Sequence, residues 1–249
     1  IHRHVFENWG HEVMISGRDS TPNLEEATKK ADLTIVSVPL DNTHEIIRRA
    51  APYSNAIMDF TSLKVSPLKW MLQYSSKNTE VGGLHPLYGS VESIKGRTII
   101  YCKTERSGEK CEEIVRTLEN EGLNVRRMDP EDHDRIVGDR LQNKRVQLSL
   151  AYVRLLMETD LTFDYIYDIS PPPTKILLDL VARQIDPKND KLYRTMSENN
   201  NFKDDTEAHL IHYLDQSFNQ EMNIDKIREF YGNSLVAAQE RAKKLIDKI

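Results

Sequence analysis

Apolar residues along this chain recur with two spacings, and the spacing changes once. Up to about residue 128, short apolar runs alternate with stretches whose apolar positions fall three and four apart. That is the pattern of strands alternating with amphipathic helices. Val5, Phe6 and Trp9 form a helical stripe closed by Gly10, and His11 to Ser16 then reads as a strand. A helix over 23–31, capped by Thr21 or Asn23 with Pro22 near its first turn, precedes a buried strand from Leu33 to Val38 that stops at Pro39. The alternation continues with a helix over 43–51, a strand over 56–60, a helix over 67–74, and strands over 80–84 and 97–102. A helix over 108–121, closed by Gly122, and a strand over 124–128 complete it. Such a series builds βαβ units, so the predicted fold class is α/β, a Rossmann-like, doubly wound and mostly parallel sheet. In a doubly wound nucleotide-binding domain, the opening helix follows a first strand and a glycine-rich turn, and neither lies within these residues.

From Asp129 onward the period is helical. Asp129-Pro130-Glu131-Asp132 is a strong helix start: an aspartate cap, a proline at the first helical position and clustered acids at the positive end of the dipole. The long helix it opens is expected to reach Glu158, a break is expected at Pro171-Pro172-Pro173, and further helices over 175–185, 190–199, 204–216 and 224–248. Two domains are therefore expected, 1–128 for dinucleotide binding and an all-helical 129–249.

Composition narrows the partners. With 34 Lys and Arg against 39 Asp and Glu, the net charge is −5, which does not suit a nucleic-acid binder that must neutralise phosphates. No apolar run approaches the ~20 residues of a membrane span, and the opening residues lack the charged-then-apolar pattern of a signal peptide. Cys102 and Cys111 are the two cysteines, too few for a disulfide framework or a zinc site, so a reducing cytoplasm is the expected compartment. His209 with His212, and His2 with His4, lack a third ligand, so no metal is expected. A small-molecule partner fits best.

The candidate chemistry sits at strand ends. Asp59-Phe60-Thr61-Ser62-Leu63-Lys64 closes one strand, and Val81-Gly82-Gly83-Leu84-His85-Pro86-Leu87-Tyr88-Gly89 closes the next in sequence. A hydroxyl (Ser62), an ammonium (Lys64) and an imidazole (His85) are thereby delivered to one sheet edge, where open α/β sheets bind their ligands. Taken alone, Ser62 could cap the following helix, Lys64 could be solvated and His85 could be a turn residue. Together they point to proton transfer from a substrate hydroxyl beside a bound cofactor. Ser16-Gly17-Arg18-Asp19 ends the strand that reads the ribose in dinucleotide folds, and an arginine there accommodates a 2′-phosphate, favouring NADP over NAD. Ser37-Val38-Pro39 would form the wall beside the nicotinamide. Lys175 and Arg183 lie two turns apart near one helix face, and Arg183, following a largely apolar run, is expected to be partly buried and to bind a carboxylate, of the protein or of a ligand. His133 is as suited to an interdomain contact as to a catalytic part.

These motifs, in this order and covering nearly the whole chain, resemble the prephenate dehydrogenases of tyrosine biosynthesis: Ser37-Val38-Pro39, Asp59 to Lys64, Gly83 to Gly89, His133-Asp134, and Ser170 to Arg183. The resemblance implies a Rossmann domain joined to an all-helical domain through which two subunits dimerise. It implies NAD(P)-dependent oxidative decarboxylation of prephenate to 4-hydroxyphenylpyruvate. It makes His85 the base, with Ser62 bonding the same hydroxyl or orienting the imidazole and Lys64 supporting the electrostatics. Arg183, Lys175, Tyr88 and Gln142 would contact substrate, with Lys175 standing where relatives have arginine. Three other readings compete. Arogenate dehydrogenase acts on a substrate with an amino group in place of the keto group. A β-hydroxyacid dehydrogenase or imine reductase would draw on Lys144 in the long helix. A non-catalytic Rossmann-type module would serve binding or dimerisation alone.

Overall fold

The computed structural model describes residues 2–17, 22–89, 93–186, 194–200, 202–218 and 224–247. It divides into two compact units, 1–141 with 194–200, and 142–193 with 201–249.

The first unit is built on five strands, β1 (Thr34–Val36), β2 (Ala56–Asp59), β3 (Glu80–Pro86), β4 (Thr98–Lys103) and β5 (Asn124–Arg127), lying side by side in sequence order. Pairing is parallel except between β3 and β4, so the sheet is mostly parallel, as expected, with one antiparallel pair. The antiparallel pair lengthens β3: His85 lies opposite Ile100 and Pro86 opposite Ile99, so His85 belongs to the ladder and not to a loop after it.

Helices α1 (His2–Asn8), α2 (Leu24–Lys30), α3 (Leu40–Ala50), α4 (Val65–Tyr74) and α5 (Glu109–Asn120) cover the sheet. Strand side chains alternate between faces. Met58, Leu84, Ile99 and Tyr101 therefore pack with Val5, Phe6, Ile114, Val115 and Leu118 on one side. Ile57, Val81, Ile100 and Cys102 pack with Ile47, Leu68, Met71 and Val137 on the other. Gly82 and Gly83 take consecutive places on these two faces, and a side chain at Gly83 would meet Lys64 and Asp59 at 3.0 and 3.1 Å. Arg106 closes α4 by donating to the carbonyls of Leu72 (3.1 Å) and Ser76 (2.7 Å) at its free C-terminal end.

The expected strand over His11–Ser16 does not form. A strand needs a ladder partner, and although Val13 packs on the core, β1 is the edge of the sheet and pairs with β2 alone. After β5, α6 (Pro130–Asp132), capped by Asp129, runs into a π-helical stretch, His133–Asn143, before α7 (Lys144–Met157). The expected single helix thus has a widened register over eleven residues, and such π segments gather at functional sites.

The second unit contains α7, α8 (Phe163–Ile169), α9 (Pro172–Gln184), α11 (Lys203–Phe218), α12 (Ile224–Tyr231) and α13 (Leu235–Ile246); α10, residues 194–199, belongs to the first. The predicted proline break is the first turn of α9, since proline suits the position where no amide partner is needed. The sequence pattern missed α8, which Thr162 caps through the amide of Tyr165. Gly232–Ser234 interrupts the last expected helix as a single 3₁₀ turn. Among the described large apolar residues of this unit, only Val146, Leu178 and Val181 are buried, whereas Met157, Ile211 and Phe230 are 71%, 68% and 87% exposed. Among the described residues, no helix is long and apolar enough to cross a membrane.

Candidate active site

The carboxyl ends of β2 and β3 carry the site, on the face covered by α3 and α4. Past β2 the chain turns so that Thr61, Leu63 and Lys64 face inward and Ser62 remains half exposed. The turn is set by Asp59: its carboxylate accepts from the Thr61 amide at 3.0 Å and from the Thr61 hydroxyl. The Ser62 hydroxyl has no hydrogen-bond partner among the described residues.

Lys64 is fully buried. Its ammonium donates to Asp59 Oδ2 at 2.5 Å and to the carbonyl of Leu84 at 2.8 Å. It therefore ties the end of β2 to the backbone beside His85, and Gly83 leaves room for its stem. A buried charge is costly unless paired, and here Asp59 Oδ2 and the Leu84 carbonyl pair the ammonium, while Asp59 Oδ1 is buried without a hydrogen-bond partner among the described residues.

Lys64 also starts α4, and neither its own side chain nor a neighbour caps that helix. The cap comes from the π-helical stretch instead. The carboxylate of Asp134 accepts from the amides of Lys64 (Oδ1, 2.7 Å) and Val65 (Oδ2, 3.0 Å), 70 and 69 residues earlier. A helix N-terminus holds a negative group well, since its first amides are unpaired and its dipole is positive there.

Asp134 in turn holds His133, Oδ1 to Nδ1 at 2.7 Å, and His133 Nε2 lies 2.8 Å from His85 Nδ1. With both rings neutral and Asp134 as a carboxylate, one proton arrangement satisfies these contacts. The carboxylate can only accept, so His133 carries its proton on Nδ1 and its Nε2 has a lone pair. His85 then donates from Nδ1, which leaves His85 Nε2 unprotonated and able to accept. Burial, reinforced by His133 and then by Lys64, pushes the His85 imidazole well below its ordinary 6.5, so the ring is neutral near pH 7.

The remaining predicted residues fall in separate places. Val38 packs on the α3–α4 side of the core, while Ser37 and Pro39 are exposed between β1 and α3. Ser16 bonds the carbonyl of Pro22 at 3.3 Å, and a Cβ at Gly17 would meet no described atom within 4 Å. Arg18 lies outside the described residues. Tyr88 packs against the α1–α5 core, and burial pushes its phenol up to about 12. In the second unit, Arg183 is exposed on α9, not partly buried as its apolar neighbours implied, because the helix turns it away from Leu178 and Val181. Lys175 is half-buried with its ammonium 5.2 Å from the centre of the Tyr167 ring. The buried side-chain oxygen of Gln142 has no hydrogen-bond partner among the described residues. Lys144, the candidate for a different dehydrogenase chemistry, lies 3.5 Å from Glu207. No group of three or more His, Cys, Asp or Glu side chains that could hold a metal occurs among the described residues.

Sequence reading singled out His85 and Lys64 but missed what joins them. The adjacent His133-Asp134 pair was visible, yet only the fold shows that Asp134 caps a helix far earlier in the chain.

Known proteins resemble this chain in sequence and in fold. Residues 7–126 match the family model "Prephenate dehydrogenase, nucleotide-binding domain". A probable arogenate/prephenate dehydrogenase of Methanocaldococcus jannaschii is 32% identical over 152 residues, covering 53% of this chain and 34% of that protein. The T-protein of Enterobacter agglomerans is 26% identical over 177 residues, covering 70% of this chain and 46% of its own. The chain therefore spans a third to a half of these relatives' length. Among solved structures, the prephenate dehydrogenase of Aquifex aeolicus, in complex with hydroxyphenyl propionate and NAD+, superposes with a TM-score of 0.62 at 20% identity, over 91% of this chain and 79% of that one. That likeness shows the fold, a Rossmann-type sheet with a helical domain. Residues 7–126, which carry the His85 strand and the Lys64 turn, belong to the nucleotide-binding domain family of the prephenate dehydrogenases.

Proposed function

We propose that this chain carries the catalytic base and nicotinamide end of an NAD(P)-dependent dehydrogenase that converts prephenate to 4-hydroxyphenylpyruvate with loss of carbon dioxide, in tyrosine biosynthesis. The observation that carries the proposal is the line Asp134–His133–His85, which leaves one neutral, lone-pair-bearing nitrogen, His85 Nε2, at the carboxyl end of the sheet. A scaffold used only for binding or dimerisation has no need of an oriented pair of buried imidazoles.

The described residues fit the nicotinamide half of a dinucleotide: Ser37, Val38 and Pro39 offer a small, largely uncharged strip at the end of β1, next to the strand that leads to Ser62. Bound NAD(P)+ supplies the hydride acceptor. His85 Nε2 takes the proton of the substrate's ring hydroxyl as hydride leaves the same carbon. Ser62 bonds that hydroxyl and fixes its direction. Lys64 acts by position: it touches Asp59 and the Leu84 carbonyl, and holds the base still. Arg183 and Lys175 are the proposed partners of the substrate's two carboxylates, with Gln142 and Tyr88 as further contacts. The family supports prephenate and arogenate alike, and kcat/KM for each substrate separates them. The compartment we propose is the cytoplasm.

The helical unit supports a homodimer. The three large apolar side chains buried among the described residues do not make a core for helices this long, and an amphipathic helix must place its apolar stripe against something. A second copy of the same unit is the proposed cover.

Four outcomes are expected. His85→Asn should lower kcat by about 10²–10⁴-fold, the contribution of a positioned base, with cofactor binding intact. In the unsubstituted protein kcat/KM should hold as pH falls through 6.5 and decline only well below it, because the neutral ring is the active form; an acid limb at or above 6.5, or full turnover by the Asn variant, defeats the assignment. Arg18→Ala should reduce the ratio of kcat/KM for NADP to that for NAD, and an unchanged ratio removes Arg18 from 2′-phosphate recognition. Light scattering should give a dimer that Phe230→Glu weakens, whereas a monomeric parent protein at micromolar concentration contradicts the dimer.

A further inference from the structure

The segment 194–200 packs with the first unit, although the residues before and after it belong to the second. Two side chains anchor it. The Thr195 hydroxyl donates to Asp41 Oδ1 at 2.6 Å, in the first turn of α3 just beyond Pro39. Asn200, 3% exposed, donates from Nδ2 to the backbone carbonyl of Asp134 at 3.0 Å. Between them Met196 is 1% exposed, so the segment is seated and not merely apposed. Gly138, one turn along the π-helical stretch, makes this approach possible: a Cβ there would lie 3.0 Å from both Asn200 Nδ2 and Leu63 Cδ2.

Asp134 is thus gripped from two directions. Its carboxylate is held by the amides at the start of α4, and its carbonyl by an amide 66 residues later in the chain. The first grip fixes where the carboxylate oxygens lie, and the second fixes the backbone from which the side chain departs. If the backbone relaxes, the 2.7 Å contact to His133 Nδ1 is the bond at risk. Without that acceptor His133 can carry its proton on Nε2 instead. His85 Nδ1 would then have to accept, and its proton would sit on Nε2, the nitrogen that must be empty to act as a base.

We propose that Asn200 is a positioning residue for the base: by holding the Asp134 carbonyl it selects the histidine tautomers that leave His85 Nε2 free. The proposal rests on the reading of His85 as base, and is tested on the full chain by two readouts. One is turnover. The other, which needs no substrate, is the downfield proton resonance of the His133 Nδ1–H held by a carboxylate. Asn200→Ala should lower kcat about tenfold, a share of what a positioned base contributes, with cofactor KM changed less than about twofold. The downfield resonance should broaden or disappear while the thermal transition stays cooperative. Asn200→Asp has the same shape but presents an acceptor to the Asp134 carbonyl, and should do the same; Gly138→Ala, which crowds the Asn200 amide, should move both readouts in the same direction. If Asn200→Asp keeps the resonance and a kcat within about twofold of the parent, Asn200 only fills space and the proposal is overturned. A parent protein that shows the resonance yet turns over neither prephenate nor arogenate defeats the functional reading instead, and the resonance in the three variants still decides the role of Asn200.

Discussion

The carboxylate of Asp134 does two things at once, and each depends on the other. It caps α4 by accepting from the amides of Lys64 and Val65, and it orients His133 by accepting from Nδ1. The cap fixes the carboxylate relative to the sheet, because α4 packs on β2 and β3 through Leu68 and Met71. The imidazole then inherits that position and passes it to His85. A general base needs its lone pair held in a fixed direction, and here a helix end in one part of the sequence supplies the direction for a ring in another.

The polar groups around this carboxylate are buried to an extent that demands mutual satisfaction. Asp59, Lys64, His85, His133 and Asp134 are each at most 5% exposed. Bonded to one another and to the backbone, they form a network whose members restrain each other more than isolated pairs would. Lys64 is central: its ammonium serves Asp59 and Leu84, and its amide serves Asp134. The network also explains two glycines. Gly83 gives way to the Lys64 stem and Asp59, and Gly138 gives way to Asn200 and Leu63. Low exposure and a nearby ammonium further keep His85 neutral, so the same burial that restrains the ring sets its protonation.

Much of the first unit was legible because strand and helix periods differ, and β1, β2, β4, β5 and α3 through α5 fall where those periods placed them, within a few residues. The failures have physical causes. His11–Ser16 has strand-like composition but no ladder neighbour, and β3 runs on through His85 because its partner β4 is antiparallel, which no local pattern announces. The π register of His133–Asn143 has the same apolar residues as an α-helix would. At the site, residue types could be read but their joins could not: His85, Ser62 and Lys64 stand within one stretch, whereas Asp134 meets Lys64 across 70 residues and Asn200 meets Asp134 across 66. Nothing in the pattern of 194–200 distinguishes it from the helical segments around it.

The central claim is that His85 carries its proton on Nδ1 and keeps Nε2 empty at neutral pH. Heteronuclear NMR of protein with labelled histidine ring nitrogens, followed from pH 8 to about 5, reads this directly. The account predicts a protonated Nδ1 and a lone-pair Nε2 for His85, unchanged as the pH passes its ordinary 6.5. A protonated Nε2 at neutral pH, or a His85 ring that titrates at 6.5 or above, would contradict it.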